Sequence, residues 1–409
     1  MSIVEVDWKE ETLTEYIDTG RVAMSNHADV IVIGLGAMGS AAAQQLAERG
    51  SRVLAFDQFT PPHAHGSSHG LSRIFRQAYF EDFRYVPLLV RSYELWQKLE
   101  RDSGVRLLHL TGGLVIGPEG GELVRRSEES AVHFNLPHQI LRADEIKERY
   151  PVIAARPDTL ALLEQNAGYL VPETCVQQQM HQAAHAGAHL RCNEPVLEWK
   201  AEQHGGVSVR TPLGTYSAER LVITVGPWAP RVLADLGLPL QVTRQVLCWF
   251  EPIDGLDAFR QEHLPLYLFE AEDEQPLLYG FPLTGSDSEG VKVALHGSDE
   301  FCTPETVCRE IRPADESAMR RRLATTLPGL AGRMVHAETC LYTMTPDENF
   351  IISAHPDHPA VTLAAGFSGH GFKFAPVIGE VLADLATSGR PSFDLSLFSI
   401  ERFAAPQPA

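Results

Sequence analysis

The run Gly366-Phe367-Ser368-Gly369-His370-Gly371-Phe372-Lys373-Phe374 sets a histidine and a lysine among three glycines. Glycines leave backbone N–H groups bare and let a ligand approach closely, while His and Lys add two groups able to carry positive charge. Taken alone, the pattern also fits a glycine-rich turn with a capping lysine. A second cluster, Gly34-Leu35-Gly36-Ala37-Met38-Gly39, opens the front of the chain, and Asp57 follows 18 residues after Gly39. Arg73 and Arg76 close a loop rich in Gly, Ser and His, and their i, i+3 spacing would put them on one helical face. Each could equally be a solvated surface charge.

The flanking residues say which elements hold these groups. Asp29-Val30-Ile31-Val32-Ile33 has the β-branched run of a central parallel strand, and residues 40–50 read as a helix ending at a glycine cap. Arg52 to Phe56 reads as the next strand, ending in Asp57. Strand, glycine turn, helix and acid together form a dinucleotide fingerprint. Gly34 permits the tight turn, Gly36 admits a pyrophosphate, Gly39 lets helix pack on strand, and Asp57 accepts ribose hydroxyls. The fingerprint does not separate NAD from FAD. Near the other end, Ala360 to Ala364 reads as a buried strand and Val377 to Ala386 as a helix, so the opening run is a strand-to-helix turn. Residues 218–228 supply a further strand with a glycine turn at Gly226, while Gly113 to Ile116 and Val291 to His296 suit strands of an antiparallel sheet.

With 409 residues the chain suggests two domains, and 44% hydrophobic with 21% charged residues is a soluble composition. A formal charge of −19 argues against nucleic acid or an anionic membrane as partner, so an anionic ligand needs local cations. No apolar run is long enough to span a bilayer. Residues 1–28 are polar and acidic without a signal-peptide layout, and read as an N-terminal extension or a short surface helix around Glu11 to Tyr16. None of the six cysteines forms a CxxC pair, which fits buried thiols in a reducing, cytoplasmic setting; Cys340 is singled out below. His63, His65 and His69 lack a second acidic or thiolate cluster, so no metal is expected.

In combination these segments resemble the monomeric sarcosine oxidase and N-methyl-tryptophan oxidase family of flavoproteins. The resemblance runs through Pro61 to Gly70, Ser72-Arg73-x-x-Arg76 and Tyr85-Val86-Pro87-Leu88. It continues in Tyr279-Gly280-Phe281-Pro282, Lys292 with His296, and Cys340-x-Tyr342 leading to Pro346-Asp347-Glu348-x-Phe350-Ile351-Ile352, and closes with Gly366 to Phe374. It implies an α/β fold: a Rossmann-like FAD-binding domain (29–108, 166–242 and 333–395) interleaved with an α+β substrate domain on an antiparallel sheet (109–165 and 243–332), followed by a tail at 396–409.

The resemblance also implies roles. Gly34, Gly36, Met38, Gly39, Asp57, Ser68, His69, Ser72, Arg73, Val196, Gly226, Gly369, His370, Gly371 and Lys373 would contact FAD, with Cys340 forming a thioether to the flavin ring. Arg76 and Lys373, with Gly369, would hold a substrate carboxylate. Lys292 would promote reduction of O2, Arg73 would face the flavin from the opposite side, and His296 and Tyr279 would line the substrate pocket. The implied reaction is oxidation of an N-methyl or N-alkyl amino acid to an imine that hydrolyses, with hydrogen peroxide as by-product, in a monomeric enzyme. The alternative is a dehydrogenase of a cyclic or glycated amino acid using another acceptor. Ser68, Leu71 and Phe80 depart from the family pattern, which has His, Asp and Gly there, and leave the substrate open.

Overall fold

The computed structural model describes residues 26–271 and 276–403. The expected extension up to residue 25, including a helix around Glu11 to Tyr16, lies outside the described residues. The first strand, His27–Ile33, lies between Thr215–Ile223 and Val53–Phe56, parallel to both. His189–Arg191 continues the parallel set beside Val53–Phe56, and Val361–Ala365 continues it beside Thr215–Ile223. Antiparallel strands Glu198–Ala201, Val207–Arg210 and Ile351–Ala354 complete this eight-stranded sheet. The C-terminal halves of its two central strands, Val30–Ile33 and Leu221–Ile223, are apolar and buried because both faces are covered there, as a parallel sheet requires. Helices Ala37–Glu48, Pro172–His185 and Ala375–Thr387 pack together beside it.

The second sheet has nine strands. Every pair in it is antiparallel except Leu266–Phe269 against Gly113–Pro118. Met334–Met344 pairs along the whole of Gln241–Phe250 in this sheet, although the boundary at 333 assigns it to the cofactor part. A third, small sheet sets Gly168–Leu170 between Arg73–Phe75 and Leu108–Leu110. The described part of the tail is docked: Phe398 is buried against Tyr85 and Phe350. Among the described residues no helix is long and apolar enough to cross a membrane.

Two glycines fix the helices under the cofactor sheet. A Cβ at Gly39 would fall 1.7 Å from the Gly34 carbonyl oxygen, and one at Gly379 would fall 2.6 Å from the backbone of Ala41. The chain therefore presses helix Ala37–Glu48 directly onto its preceding turn and onto Ala375–Thr387. Gly379→Ala should cost about 1–3 kcal/mol by forcing these helices apart, read as a lower urea midpoint. An unchanged midpoint would show that the pair slides without cost.

Candidate active site

A cavity of about 710 Å3 runs between the two sheets. At one end it meets the N-terminus of helix Ala37–Glu48, whose cap residue Gly36 offers no side-chain acceptor to the first turn. The Ala37 N–H reaches only Ser68 Oγ, at 3.3 Å, so this positive helix end is open to an anion. Asp57, 8% exposed, holds its own turn in place by accepting from the N–H groups of Leu35 and Phe59 at 2.8 and 2.9 Å. Its carboxylate also lines the cavity and keeps lone pairs for ribose hydroxyls. The Asp57 carbonyl accepts from Glu194 N–H, which brings Val196 alongside; with Trp199 and Trp228 it forms an apolar wall for a flat base.

Arg73, Tyr342, Gly369 and Phe372 line the same cavity. Arg73 is fixed by donating to the carbonyls of Ser72 and Ser67 at 2.9 and 3.0 Å, and its Nη2 lies 3.5 Å from Cys340 Sγ. His69 contacts Glu338 through Nδ1 at 3.2 Å, while its Nε2 is buried without a hydrogen-bond partner of ordinary geometry. It still interacts with the thiol. Burial would raise the Cys340 pKa, but His69 as donor and the positive charges of Arg73 and His69 outweigh it, bringing the thiol down to about 7. In return, His69 rises to about 9 against its own burial, through Cys340 and Glu338. Each group thus draws the other toward thiolate and imidazolium, and the thiolate is the form in which a cysteine is nucleophilic.

Lys292 lies behind this group, 1% exposed, donating to the carbonyls of Gly70 and Ser72 at 2.5 and 2.8 Å. Its Nζ also stands over the rings of Trp249 and Phe281. Its head is therefore held inside the protein and not in solvent. Burial and the neighbouring Arg73 pull its pKa well below the usual lysine value.

A second cationic group surrounds Tyr79. Arg76 donates to both oxygens of Glu81 at 2.7 and 2.6 Å and to the Ala78 carbonyl, and its guanidinium lies 4.3 Å from the ring centres of both Tyr79 and Phe80. Lys373 Nζ approaches the same Tyr79 ring and donates to the His370 carbonyl at 2.7 Å. His370 Nε2 faces the Glu348 carbonyl at 3.0 Å and must donate there, so its Nδ1 accepts from the Tyr79 hydroxyl at 2.5 Å. Burial holds this imidazole neutral, at about 3, against the pull of Glu81. Burial and Arg76 bring Lys373 down to about 7, with Glu81 opposing. Glu81 itself would rise by burial, but Arg76 takes it to about 2.

The anticipated site residues thus separate into layers. Gly34, Gly36, Met38, Asp57, Ser68, Arg73, Val196, Gly226, Gly369 and Gly371 line the cavity. Gly39 sits behind the turn, and Ser72 is fully buried, serving Lys292 and Arg73 through its carbonyl. His69, Cys340 and Lys292 back the Arg73 end, while Arg76, His370 and Lys373 form the second cluster. Tyr279 Oη is 3.5 Å from Tyr342 Oη, and the His296 ring, held neutral at about 4 by burial, packs 5.4 Å from Tyr342.

One expectation is corrected. Arg73 and Arg76 do not share a helical face, because Arg73–Phe75 is a strand paired with Gly168–Leu170. Strand alternation over three residues sends the two guanidinium groups to opposite sides, one to Cys340 and one to Glu81. The sequence reading left Tyr79, Glu81, Glu173 and Tyr342 without roles. Tyr342 carried a usable signal, since strand alternation puts it on the same face as Cys340.

An open helix N-terminus and a carboxylate along one cavity, with a cysteine of lowered pKa behind its Arg73 end, fit FAD and the class of flavin-dependent oxidoreductases. The chain belongs to the FAD dependent oxidoreductase family (DAO), whose model matches residues 29–385. It is 46% identical over 383 residues to a monomeric sarcosine oxidase of Streptomyces avermitilis, covering 93% of this chain and 99% of that protein. It is 35% identical over 377 residues to an N-methyl-L-tryptophan oxidase of Yersinia pestis, covering 92% and 99%. Among solved structures, NikD, an unusual amino acid oxidase, superposes with a TM-score of 0.80 at 26% identity, over 92% of this chain and 98% of its own.

The Arg76–Glu81 pair gives a test independent of turnover. Glu81→Gln leaves the Arg76 charge buried without its counter-ion and should cost about 3 kcal/mol at pH 7 in urea unfolding. The Glu81 pKa lies below its ordinary value of 4.5, so its contribution is complete above that pH and fades as pH falls toward about 2. The variant should therefore show a flatter acid limb than the native chain. Equal slopes would show that the pair is not coupled to folding.

Proposed function

We propose that this enzyme oxidises the secondary amine of an N-methyl or N-alkyl amino acid, using O2 as electron acceptor. The observation that carries the reading is the meeting of two buried cations, Arg76 and Lys373, at one tyrosine ring in a protein of net charge −19. Such a pair is costly to bury, and Glu81 is the carboxylate bonded to it. A substrate carboxylate supplies the missing negative charge. An arginine fork and a lysine point charge together orient it.

Bound FAD supplies two-electron chemistry: hydride removal from the carbon beside nitrogen, giving an imine that water hydrolyses, and return of the electrons to O2 as hydrogen peroxide. The protein supplies placement and charge. The glycine turns at 34–39 and 366–371, with Met38, Asp57, Ser68, Ser72, Val196 and Gly226, hold the cofactor. Arg73 faces it from one side. Tyr279, His296 and Tyr342 form an aromatic wall for the amine, and neutral imidazoles at His296 and His370 add no competing charge. Lys292 keeps a cation near the site where O2 gathers negative charge. Relatives bearing the names sarcosine oxidase and N-methyl-L-tryptophan oxidase support this substrate class. Free cysteines throughout the described residues suit the cytoplasm, and the name of the sarcosine oxidase relatives suits a monomer.

We further assign Cys340 as the point of covalent attachment. The motive is its thiolate character, produced by His69 and Arg73. Two experiments test the function. Sarcosine, N-methyl-L-tryptophan and related N-methyl amino acids are screened under air for peroxide; at least one should release it in proportion to the amine oxidised. Failure of every such amine to bleach the flavin anaerobically would remove the reading, and bleaching without peroxide would point to another acceptor. For the linkage, acid precipitation should leave a yellow pellet, and Cys340→Ser a colourless one. A colourless pellet from the native protein refutes the attachment.

A further inference from the structure

Glu173 stands in the first turn of helix Pro172–His185, on the far side of the Gly70–Ser72 backbone from Lys292. Its Oε1 accepts from the N–H groups of Gly70 and Leu71, at 2.6 and 3.1 Å. The Leu71 N–H and the Gly70 carbonyl belong to one peptide unit, and that carbonyl accepts from Lys292 Nζ. One peptide plane therefore joins a carboxylate to an ammonium, each polarising it in the same sense. The backbone there is strained: Gly70 has φ +95° and Leu71, a branched residue, φ +65°. A Cβ at Gly70 would crowd Leu247, Arg73 and Lys292 at 2.5, 3.4 and 3.5 Å. The second oxygen, Glu173 Oε2, is buried with no hydrogen-bond partner among the described residues.

We infer that Glu173 is a positioning residue for Lys292, holding the Gly70–Leu71 peptide in its strained form and keeping Lys292 charged at the flavin site. Its negative charge offsets Arg73, which lines the cavity beside Cys340, and Lys292 behind it, neither of which pairs directly with a carboxylate among the described residues. Other charged and titratable groups acting on Lys292 are Arg73 from its strand and Cys340 and Glu338 from Met334–Met344. Of these, Arg73 and burial oppose the lysine's charge, and Glu173 leads the groups that sustain it.

The inference rests on the reading of Lys292 as the cation that assists O2, so both are measured together. In stopped flow, Lys292→Met should slow reoxidation of the reduced enzyme while anaerobic reduction by substrate survives. Glu173→Gln keeps an acceptor for the two N–H groups and removes the charge. It should move the pH midpoint of reoxidation down by about one unit, so that above the native midpoint reoxidation slows by up to about tenfold, one pKa unit being tenfold in the charged fraction there. In the Lys292→Met background the same change should have no effect on the profile. Glu173→Asp keeps the charge on a shorter stem; it should retain the midpoint but raise amide hydrogen exchange at Gly70 and Leu71 by about tenfold, a structural readout taken without turnover. Native reoxidation and midpoint in Glu173→Gln, with Lys292→Met slow, overturn this inference alone. Native reoxidation in Lys292→Met overturns the lysine reading and this inference with it. If Glu173→Gln does not fold, unchanged exchange in Glu173→Asp serves as the refuting result.

Discussion

The site depends on how one segment of backbone is held. Residues 70–78 carry both guanidinium groups, and two carboxylates grip the segment from either side of a single strand. Glu173 takes the N–H groups of Gly70 and Leu71, Glu164 takes those of Gln77 and Ala78 at 2.7 and 2.9 Å, and Gly168–Leu170 pairs with Arg73–Phe75 between them. Glu164 is 2% exposed, and burial raises its pKa against the pull of both bonds. Four backbone donors that no sheet or helix could satisfy are accounted for in this way. Loosening either carboxylate would let Arg73 or Arg76 drift from its side of the strand.

The same segment organises charge. Four cations, Arg73, Arg76, Lys292 and Lys373, are carried within or against it, in a protein whose total charge is strongly negative. They are kept in two groups, each with its own carboxylates: Glu173 for Arg73 and Lys292, Glu81 for Arg76 and Lys373. Alternation along the chain accounts for the division, since Arg73 opens the strand Arg73–Phe75 and Arg76 follows it three residues on, on the other side.

The parts of this design that were legible in the sequence are those whose residues are contiguous. The fingerprint at Gly34 to Asp57 could be read because strand, turn, helix and acid follow one another, and Gly366 to Lys373 because a strand precedes it and a helix follows. The helical placing of Arg73 and Arg76 failed because their conformation is set by pairing with Gly168–Leu170, nearly a hundred residues on. Met334–Met344 sits in the mixed sheet rather than beside the cofactor sheet for the same reason, its partner being Gln241–Phe250. Glu173 and Glu81 gave no local signal, since a carboxylate in a helix's first turn or a polar loop is ordinary. Only the backbone donors and the guanidinium they meet make them special.

Phe80 is the remaining point at which the chain fixes its own chemistry. Its ring stacks on Arg76 at 4.3 Å and lies 6.4 Å from Tyr79, so the arginine is held by two aromatic faces as well as by Glu81. A glycine at that position would leave the guanidinium one face fewer and the backbone of residues 79–81 freer. The aromatic residue therefore trades loop freedom for a preset arginine. A preset cation loses less entropy on meeting a carboxylate. Were the substrate carboxylate to dock on Arg76 as proposed, that end of the substrate would be fixed, and the amine substituents that fit would be decided at Tyr279 and Tyr342. On that reading Phe80 and the tyrosines would together set selectivity among N-alkyl amino acids, while Arg76 and Lys373 would select only for the carboxylate.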